Sequence, residues 1–180
     1  MKKLIGLYSP APGSGKSTVA KWLEEEQGYT IVPFAQTLKE MLIPMLKALG
    51  YDQADAETLV FRHKEVVVPA AEVSVRHMLR TLGTEWGRSC IHPSIWLRCW
   101  AERIKEYDKV VVDDCRFLNE AQLITNLGGE LWYVERPGVP HSFEHSSEGS
   151  LNDYSGFRFA VYNEGSVEDL RIKLRLLART

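Results

Sequence analysis

The segment from Ser9 to Thr18 constrains this chain most, because it reads Ser-Pro-Ala-Pro-Gly-Ser-Gly-Lys-Ser-Thr. It follows an apolar run, Lys3 to Tyr8, and opens an amphipathic stretch, so a strand, a glycine turn and a helix are predicted in that order. Glycines let backbone N–H groups converge on phosphate oxygens, a helix N-terminus adds partial positive charge, and a lysine neutralises the outer phosphates. The segment is therefore predicted to be a phosphate-binding loop for a nucleoside triphosphate.

This phosphate-binding loop departs from the full pattern at Pro10, where a glycine is typical. Proline fixes φ and has no N–H, but the amides from Gly13 to Thr18 remain available. Lys16 is predicted to bridge the β- and γ-phosphates of ATP, and Ser17 to supply a hydroxyl to Mg²⁺. The residues predicted to contact the nucleotide here are Gly13, Ser14, Gly15, Lys16, Ser17 and Thr18.

Length and composition fit one globular domain over residues 1–180. Hydrophobic residues make up 44% of the 180 residues, and 22 basic against 24 acidic residues give a net charge of −2. This balance argues against a protein that lives on nucleic acid or on an anionic membrane. The three cysteines lack the paired spacing of a zinc or redox site, and the apolar run after the N-terminus is too short for a signal peptide. We therefore expect a cytoplasmic protein with reduced cysteines.

Beyond the loop, apolar runs of strand length alternate with stretches of helical period, which predicts an α/β fold with a mostly parallel sheet. Strands are predicted at Tyr29 to Phe34, Val110 to Val112, Leu131 to Val134 and Phe159 to Tyr162. Helices are predicted around Leu38 to Leu49, Val75 to Leu82, Pro93 to Ile104, Phe117 to Ile124 and Val167 to Leu177. We expect Pro44 to kink or interrupt the helix at Leu38 to Leu49. Gly83 and Gly87 are expected to break the regularity around Trp86 and Arg88. Residues 51–73 are predicted as loop and short helix, and residues 136–154 as a mobile lid.

Charged residues follow the predicted strands at positions where a phosphate site needs them. Asp113 and Asp114 end a run of valines, where either carboxylate suits a magnesium site or a simple turn cap. Arg116 lies two residues after Asp114 and is a candidate for holding a phosphate or pairing with an acidic neighbour. Arg136 begins the predicted lid and is the charge that closure would bring to the phosphates.

A stretch rich in glycine and arginine, Arg80 to Arg88, suggests a second anion site. Arg80 and Arg88 flank two glycines and Trp86, which suits clamping an anionic ligand beside a stacking surface. From the spacing alone, solvated arginines explain the stretch equally well.

Several motifs together resemble the bacteriophage deoxynucleoside monophosphate kinases, over nearly the whole chain. They are Phe34-Ala35 with Leu38-Lys39, Leu82 to Arg88 with Ile91-His92-Pro93 and Trp96, Asp114 to Phe117 with Asn119-Glu120-Ala121, Arg136-Pro137, and His145 to Glu148. The resemblance implies a P-loop kinase fold, a five-stranded parallel sheet flanked by helices with a lid segment. It also implies transfer of the γ-phosphoryl group of ATP to a deoxynucleoside monophosphate (dNMP).

The resemblance also implies roles for particular residues. Lys16, Asp114, Arg116 and Arg136 would be catalytic, and Ser17 and Asp114 would hold Mg²⁺. Asn163 and Gly165 would lie in a turn against the adenine of ATP. The residues that would bind the dNMP are Phe34, Lys39, Arg80, Trp86, Arg88, Arg116, Ser147 and Glu148.

Two alternatives remain open from the sequence. A P-loop kinase for a hydroxyl acceptor, such as dephospho-coenzyme A or a sugar acid, would use Asp114 as a base. A nucleotide-dependent switch or ATPase would hydrolyse ATP without an acceptor. The accepted base and the oligomeric state, including a homodimer, also stay open.

Overall fold

The computed structural model describes residues 3–139, 151 and 153–178. The chain divides into two compact units. The first unit comprises Met1–Pro33 and Ile104–Thr180, and the second comprises Phe34–Arg103.

Strands and helices alternate through most of the described residues. The strands are β1 (Lys3–Tyr8), β2 (Thr30–Ile31), β3 (Val67–Val68), β4 (Val73–Ser74), β5 (Lys109–Val112), β6 (Glu130–Glu135) and β7 (Phe157–Tyr162). The α-helices are α1 (Lys16–Gln27), α2 (Gln36–Ala48), α3 (Gln53–Phe61), α4 (Val75–Arg80), α5 (Ile95–Arg103), α6 (Leu118–Asn126) and α7 (Val167–Leu177). A π-helix (Thr81–Ile91) continues from α4, and a 3-10 turn (Ile104–Glu106) follows α5.

The first unit is built on a five-stranded sheet in the order β2-β5-β1-β6-β7, and all neighbouring pairs are parallel. This confirms the α/β fold with a five-stranded parallel sheet flanked by helices. The predicted second strand is shorter than expected and keeps ladder geometry only at Thr30–Ile31. Pro33 has no N–H to continue the ladder, although the N–H of Val32 still donates to the carbonyl of Val111 at 2.9 Å.

Side chains on the two faces of β1 contact different helices, as the period of two in a strand requires. Ile5 and Leu7 are buried in the cluster that includes residues of α1 and α7. Gly6 points to the opposite face, where a Cβ would lie 2.7 Å from Leu131 Cδ2 and almost against Ile124 of α6. Helices therefore cover both faces of the central strand, and the loop after β1 emerges at the carboxyl edge of the sheet.

The pKa of Tyr133 on β6 makes the stability of the first unit depend on pH. Burial, assisted by the Glu135 carboxylate, raises the pKa of Tyr133 to about 12. The unfolded chain loses this proton near pH ~10, so the stabilisation is complete below that pH and is lost between about pH 10 and 12. We expect the free energy of unfolding, measured by urea denaturation, to fall less steeply across this window in Tyr133→Phe than in the wild type. Equal slopes would contradict the coupling.

The second unit packs α2, α3 and α4 around a core of its own, with buried residues that include Leu42, Leu46 and Val75. α2 runs without a break through Pro44, so of the two predicted effects the interruption does not occur and the kink stays a prediction. Proline forfeits one helical hydrogen bond, and the burial of Leu42, Ile43 and Leu46 on either side of it opposes the break.

Residues 51–73 contain more regular structure than the predicted loop and short helix. Asp52 caps α3 by accepting a hydrogen bond from the N–H of Asp55 at 2.8 Å. The antiparallel pair β3 and β4 follows α3, and Ser74 then caps α4, as predicted, through the N–H of His77 at 3.1 Å.

The expected break in regularity around Trp86 and Arg88 takes the form of a change of helix type after Arg80, and the chain remains helical through Gly83 and Gly87. The chain continues from α4 into the π-helix, in which both glycines are buried. A Cβ on Gly87 would lie 2.7 Å from both Cε2 and Nε1 of Trp96. Trp96 Nε1–H donates to the carbonyl of Gly83 at 2.7 Å. Gly87 therefore makes room for an indole ring that packs on the helix backbone, whereas a Cβ on Gly83 would lie 3.0 Å from Leu38 Cδ2.

None of the helices in the described ranges is long and apolar enough to span a lipid bilayer.

Candidate functional site

The phosphate-binding loop adopts a conformation that requires glycine at two positions. Gly13 and Gly15 have φ values of 71° and 106°, in the region that L side chains rarely adopt. Gly15 is the N-cap of α1, and its carbonyl accepts the helical hydrogen bond from Val19 N–H at 3.0 Å. The first N–H groups of a helix have no intrahelical partner, so this helix start presents donors to an anion.

The start of the loop is held by Ser9, which accommodates the proline after it. Ser9 Oγ accepts a hydrogen bond from the N–H of Ala11 at 3.2 Å. It also lies 3.1 Å from the Ala11 carbonyl, to which it donates. Pro10 is buried inside this turn, so its missing N–H removes no donor from the part between Gly13 and Thr18.

A cavity of about 470 Å³ opens at this loop, within the range of small-molecule sites. It is lined by Gly13, Ser14, Gly15, Lys16, Ser17, Thr18, Arg136, Asn163, Gly165, Ser166, Val167 and Leu170. All eight predicted nucleotide-contacting residues therefore line one cavity, together with Arg136.

The hydroxyl of Ser14 tests whether the cavity fits a phosphate group. Ser14 is only 1% exposed, and its Oγ has no hydrogen-bond partner within the described part of the chain. A buried polar group without a partner costs about 1–3 kcal/mol, which a bound phosphate oxygen would remove. The cavity wall is therefore chemically suited to phosphate.

The turn from Asn163 to Ser166 is fixed to the loop and to α7 by its own hydrogen bonds. Asn163 is 7% exposed, and its Nδ2 donates to the Ser14 carbonyl at 3.1 Å. Its backbone N–H donates to the Glu135 carbonyl at 2.7 Å. Ser166 caps α7, and its hydrogen bonds to Asp169 hold the pKa of that carboxyl below its usual range. The turn thus links β7 to one wall of the cavity.

Asp114 and Arg116 lie after β5, at the same edge of the sheet as the loop. Val112 pairs with Gly6 in parallel register, so Asp114 lies level with the start of the loop after Tyr8. Asp114 is half-buried and Arg116 is exposed. Between them, burial raises the pKa of the Cys115 thiol well above its ordinary value, and the carboxylates of Glu120 and Asp114 raise it further. Cys115 is therefore a neutral packing residue.

A protein-only metal cage is not present among the described residues, where groups of three or more His, Cys, Asp or Glu do not converge. Mg²⁺ commonly uses one or two protein ligands with water and substrate phosphates. Ser17 and Asp114 offer the hydroxyl and carboxylate oxygens that this ion prefers.

The second unit carries five of the residues predicted to bind the acceptor. Arg80 is exposed at the end of α4, with Nη2 3.4 Å from His77 Nδ1. The π-helix carries Trp86, which is 43% exposed, and the half-buried Arg88.

Of the two other residues in this predicted set, Phe34 lies just before α2 and Lys39 lies within it. Phe34 is buried, with its ring centroid 4.5 Å from that of Trp100. Lys39 Nζ lies 5.6 Å from the centre of the Phe61 ring. Ser147 and Glu148, and most of the lid at 136–154, fall outside the described residues.

Three contacts of the site lie beyond what sequence reasoning found: Ser9 at the start of the loop, Asn163 on the Ser14 carbonyl, and Glu120 below Arg116. Glu120 Oε2 accepts hydrogen bonds from the N–H groups of Arg116 and Phe117. Glutamate at the third position of a predicted helix is a capping signal, although the N-cap here is a phenylalanine. The contact of Asn163 has no local signal, because it joins residues 149 positions apart.

The family model and the relatives that match this chain are all described as deoxynucleotide or deoxynucleoside monophosphate kinases. The sequence model of the family described as deoxynucleotide monophosphate kinase matches residues 45–174. An Acanthamoeba polyphaga mimivirus protein assigned as a deoxynucleotide monophosphate kinase is 29% identical over 183 positions, covering 92% of this chain and 91% of its own.

Two phage enzymes match over shorter stretches. The deoxynucleotide monophosphate kinase of Escherichia phage RB69 is 26% identical over 111 residues, 59% of this chain and 45% of its own. The deoxynucleoside-5'-monophosphate kinase of Escherichia phage T5 is 36% identical over 70 residues, 38% of this chain and 28% of its own.

Among solved structures, dephospho-CoA kinase from Campylobacter jejuni superposes with a TM-score of 0.54 over 98% of this chain and 96% of its own. The two sequences are 12% identical, so this likeness shows the P-loop kinase fold alone.

Proposed function

Because this chain belongs to the deoxynucleotide monophosphate kinase family, and is therefore a kinase that phosphorylates dNMPs, we propose that the cavity at its phosphate-binding loop binds ATP. The observation that carries the proposal is the buried hydroxyl of Ser14, which lacks a hydrogen-bond partner among the described residues and lies in a wall of backbone donors. Lys16 neutralises the outer phosphates, and the amides from Gly13 to Thr18 hold the phosphate oxygens. Asn163 and Gly165 line the same cavity and contact the adenine end.

Asn163 gives a test of this donor site. In Asn163→Asp, a carboxylate oxygen replaces the amide that donates to the Ser14 carbonyl, so the hydrogen bond between this turn and the phosphate-binding loop is lost. We expect KM for ATP to rise by about tenfold, measured with a coupled assay at saturating dNMP. Exposed Glu164→Gln in the same turn is the matched control and should change KM for ATP little. An unchanged KM in Asn163→Asp would contradict the proposed contact.

We assign the metal site of the reaction to Ser17 and Asp114. When bound, Mg²⁺ supplies charge neutralisation at the donor phosphates. The support from this chain is the position of Asp114 after β5, beside the strand that leads into the loop.

The acceptor dNMP is bound, in this proposal, by Phe34, Lys39, Arg80, Trp86 and Arg88, with Arg116, Ser147 and Glu148 assigned by resemblance. Arginine guanidinium groups match the planar, bidentate geometry of phosphate oxygens. The exposed indole of Trp86 offers a stacking surface for a base.

The chemistry needs positioning and positive charge more than a base. A phosphomonoester has its second pKa near about 6, so the attacking oxygen of the dNMP is already largely anionic at neutral pH. Lys16, Arg116 and Arg136 would stabilise the charge on the transferring group. We further propose that residues 1–180 form a single kinase domain and that the protein is cytoplasmic. In this proposal a lid at residues 136–154 excludes water from the reaction.

The test is a coupled assay with ATP across deoxy- and ribonucleoside monophosphates, with dephospho-coenzyme A and a sugar acid as hydroxyl acceptors. We expect nucleoside diphosphate formation with one or more dNMPs and none with the hydroxyl acceptors. ATP consumption without an acceptor should be negligible. Turnover of a hydroxyl acceptor, or hydrolysis that ignores dNMPs, would overturn the proposal.

A further inference from the structure

Glu120 is a buried acidic residue beneath the turn that carries Asp114 and Arg116. It is 3% exposed. One oxygen, Oε2, accepts hydrogen bonds from the N–H of Arg116 at 2.8 Å and from the N–H of Phe117 at 3.0 Å. The same residue occupies the third position of α6, which begins at Leu118.

A helix cap alone does not account for this arrangement. A glutamate at the third position of a helix satisfies the N-cap N–H, here that of Phe117, and does so at exposed positions in water. Burying a carboxylate costs several kcal/mol unless hydrogen bonds compensate. The additional hydrogen bond, from the N–H of Arg116, holds a residue that precedes the N-cap Phe117 and lies between β5 and the helix.

That additional bond fixes the peptide plane between Cys115 and Arg116. Cys115 is 1% exposed, so its side chain anchors the turn from one side while Glu120 holds the backbone on the other. With both constraints, the Cα–Cβ direction of Arg116 relative to the end of β5 is set before any substrate binds. Such preorganisation is valuable in phosphoryl transfer, since a misplacement of about 1 Å costs about 100-fold in rate.

We propose that Glu120 is the positioning residue of the phosphoryl-transfer reaction, acting by fixing the backbone of Arg116. The inference rests on the proposed role of Arg116 at the reaction centre. The atom of Glu120 on which the inference depends is Oε2, which accepts from the backbone N–H groups of Arg116 and Phe117.

Two substitutions separate position from charge. Glu120→Gln keeps a carbonyl oxygen at the same reach and loses the charge, so both N–H groups keep an acceptor. Glu120→Asp keeps the charge but is one methylene shorter, so the oxygen falls short of the amides. Positioning predicts kcat/KM for the dNMP within about tenfold of wild type in the Gln variant. It predicts a loss of about 100-fold in the Asp variant, with KM for ATP nearly unchanged.

The closing experiment adds Arg116→Ala and the double variant Glu120→Asp/Arg116→Ala, with thermal unfolding recorded for each protein. We expect Arg116→Ala to lower kcat/KM for the dNMP strongly, and Glu120→Asp to lower it by less than about threefold further in that background, because coupled residues are not additive. Equal losses from Glu120→Asp in both backgrounds would overturn the positioning role. Wild-type activity in Arg116→Ala would overturn the role of Arg116, and with it this inference.

The Gln variant keeps the test decisive if the Asp variant does not unfold cooperatively. A 100-fold loss in Glu120→Gln with an unchanged Tm would overturn the inference, since both hydrogen bonds remain possible. Activity near that of the wild type in Glu120→Gln supports it.

Discussion

Lys16→Ala is expected to lower kcat by about a thousandfold. Lys16 is the first residue of α1 and lines the cavity at the phosphate-binding loop. Its ammonium would neutralise charge that develops on the donor phosphates, and the helix N-terminus alone carries only a partial charge. The loss should therefore appear mainly in kcat, with a smaller rise in KM for ATP.

The measurement is a coupled assay under saturating ATP and dNMP, with Lys21→Ala as the control. Lys21 is exposed on the same helix and outside the residues that line the cavity, so its removal should leave kcat near the wild-type value. Thermal unfolding should show that both variants keep the fold. Turnover in Lys16→Ala within about tenfold of wild type would contradict the assignment of the donor site.

Gly87→Ala is expected to destabilise the second unit by about 1–3 kcal/mol and to raise KM for the dNMP. The added Cβ would lie 2.7 Å from Trp96 Nε1, whose N–H donates to the Gly83 carbonyl. The indole is buried and lies within the core, so the ring or the π-helix backbone has to shift. A shift of the backbone moves Trp86 and Arg88, which we propose bind the acceptor.

Compensation by a smaller ring tests this mechanism. In the double variant Gly87→Ala/Trp96→Phe, the ring atoms that would meet the new Cβ are absent, so stability should be partly recovered relative to Gly87→Ala. Ser89→Ala, exposed on the same π-helix, is the control and should change the free energy of unfolding little. Urea denaturation and KM for the dNMP are the two readouts. Additive destabilisation in the double variant would contradict the steric explanation.

Most of the first unit follows from local pattern. The apolar run before the phosphate-binding loop is β1, the valines before Asp113 lie in β5, and the last predicted helix, Val167 to Leu177, is α7. These predictions hold because strand and helix periods are short-range properties, and glycine turns fix where one element ends and the next begins. The grouping of predicted nucleotide residues in one cavity also follows, since parallel strands bring their carboxyl ends to one edge.

The second unit shows where local pattern fails. Gly83 and Gly87 are weak helix formers, yet the chain stays helical through both as a π-helix. Trp96 packs where a side chain on Gly87 would be, and Leu38 where one on Gly83 would be. Pro44 likewise sits inside an unbroken α2, flanked by buried residues. Glycine and proline cost a helix about 1–3 kcal/mol per residue. Burial of apolar side chains by tertiary packing stabilises the folded chain by a similar amount and can therefore override helix propensity.

The sequence by itself determined the phosphate-binding loop, the parallel sheet and the family resemblance, because glycine, lysine and apolar residues at fixed spacing carry those meanings locally. Only the tertiary structure decided that Asn163 holds the Ser14 carbonyl, that Ser14 Oγ lacks a partner in the described residues, and that Glu120 lies buried beneath Arg116. The physical reason is that each of these three features depends on which polar groups are buried away from water. It also depends on which donors and acceptors, distant in sequence, come within hydrogen-bond distance. Burial and hydrogen-bond partners belong to the folded chain as a whole.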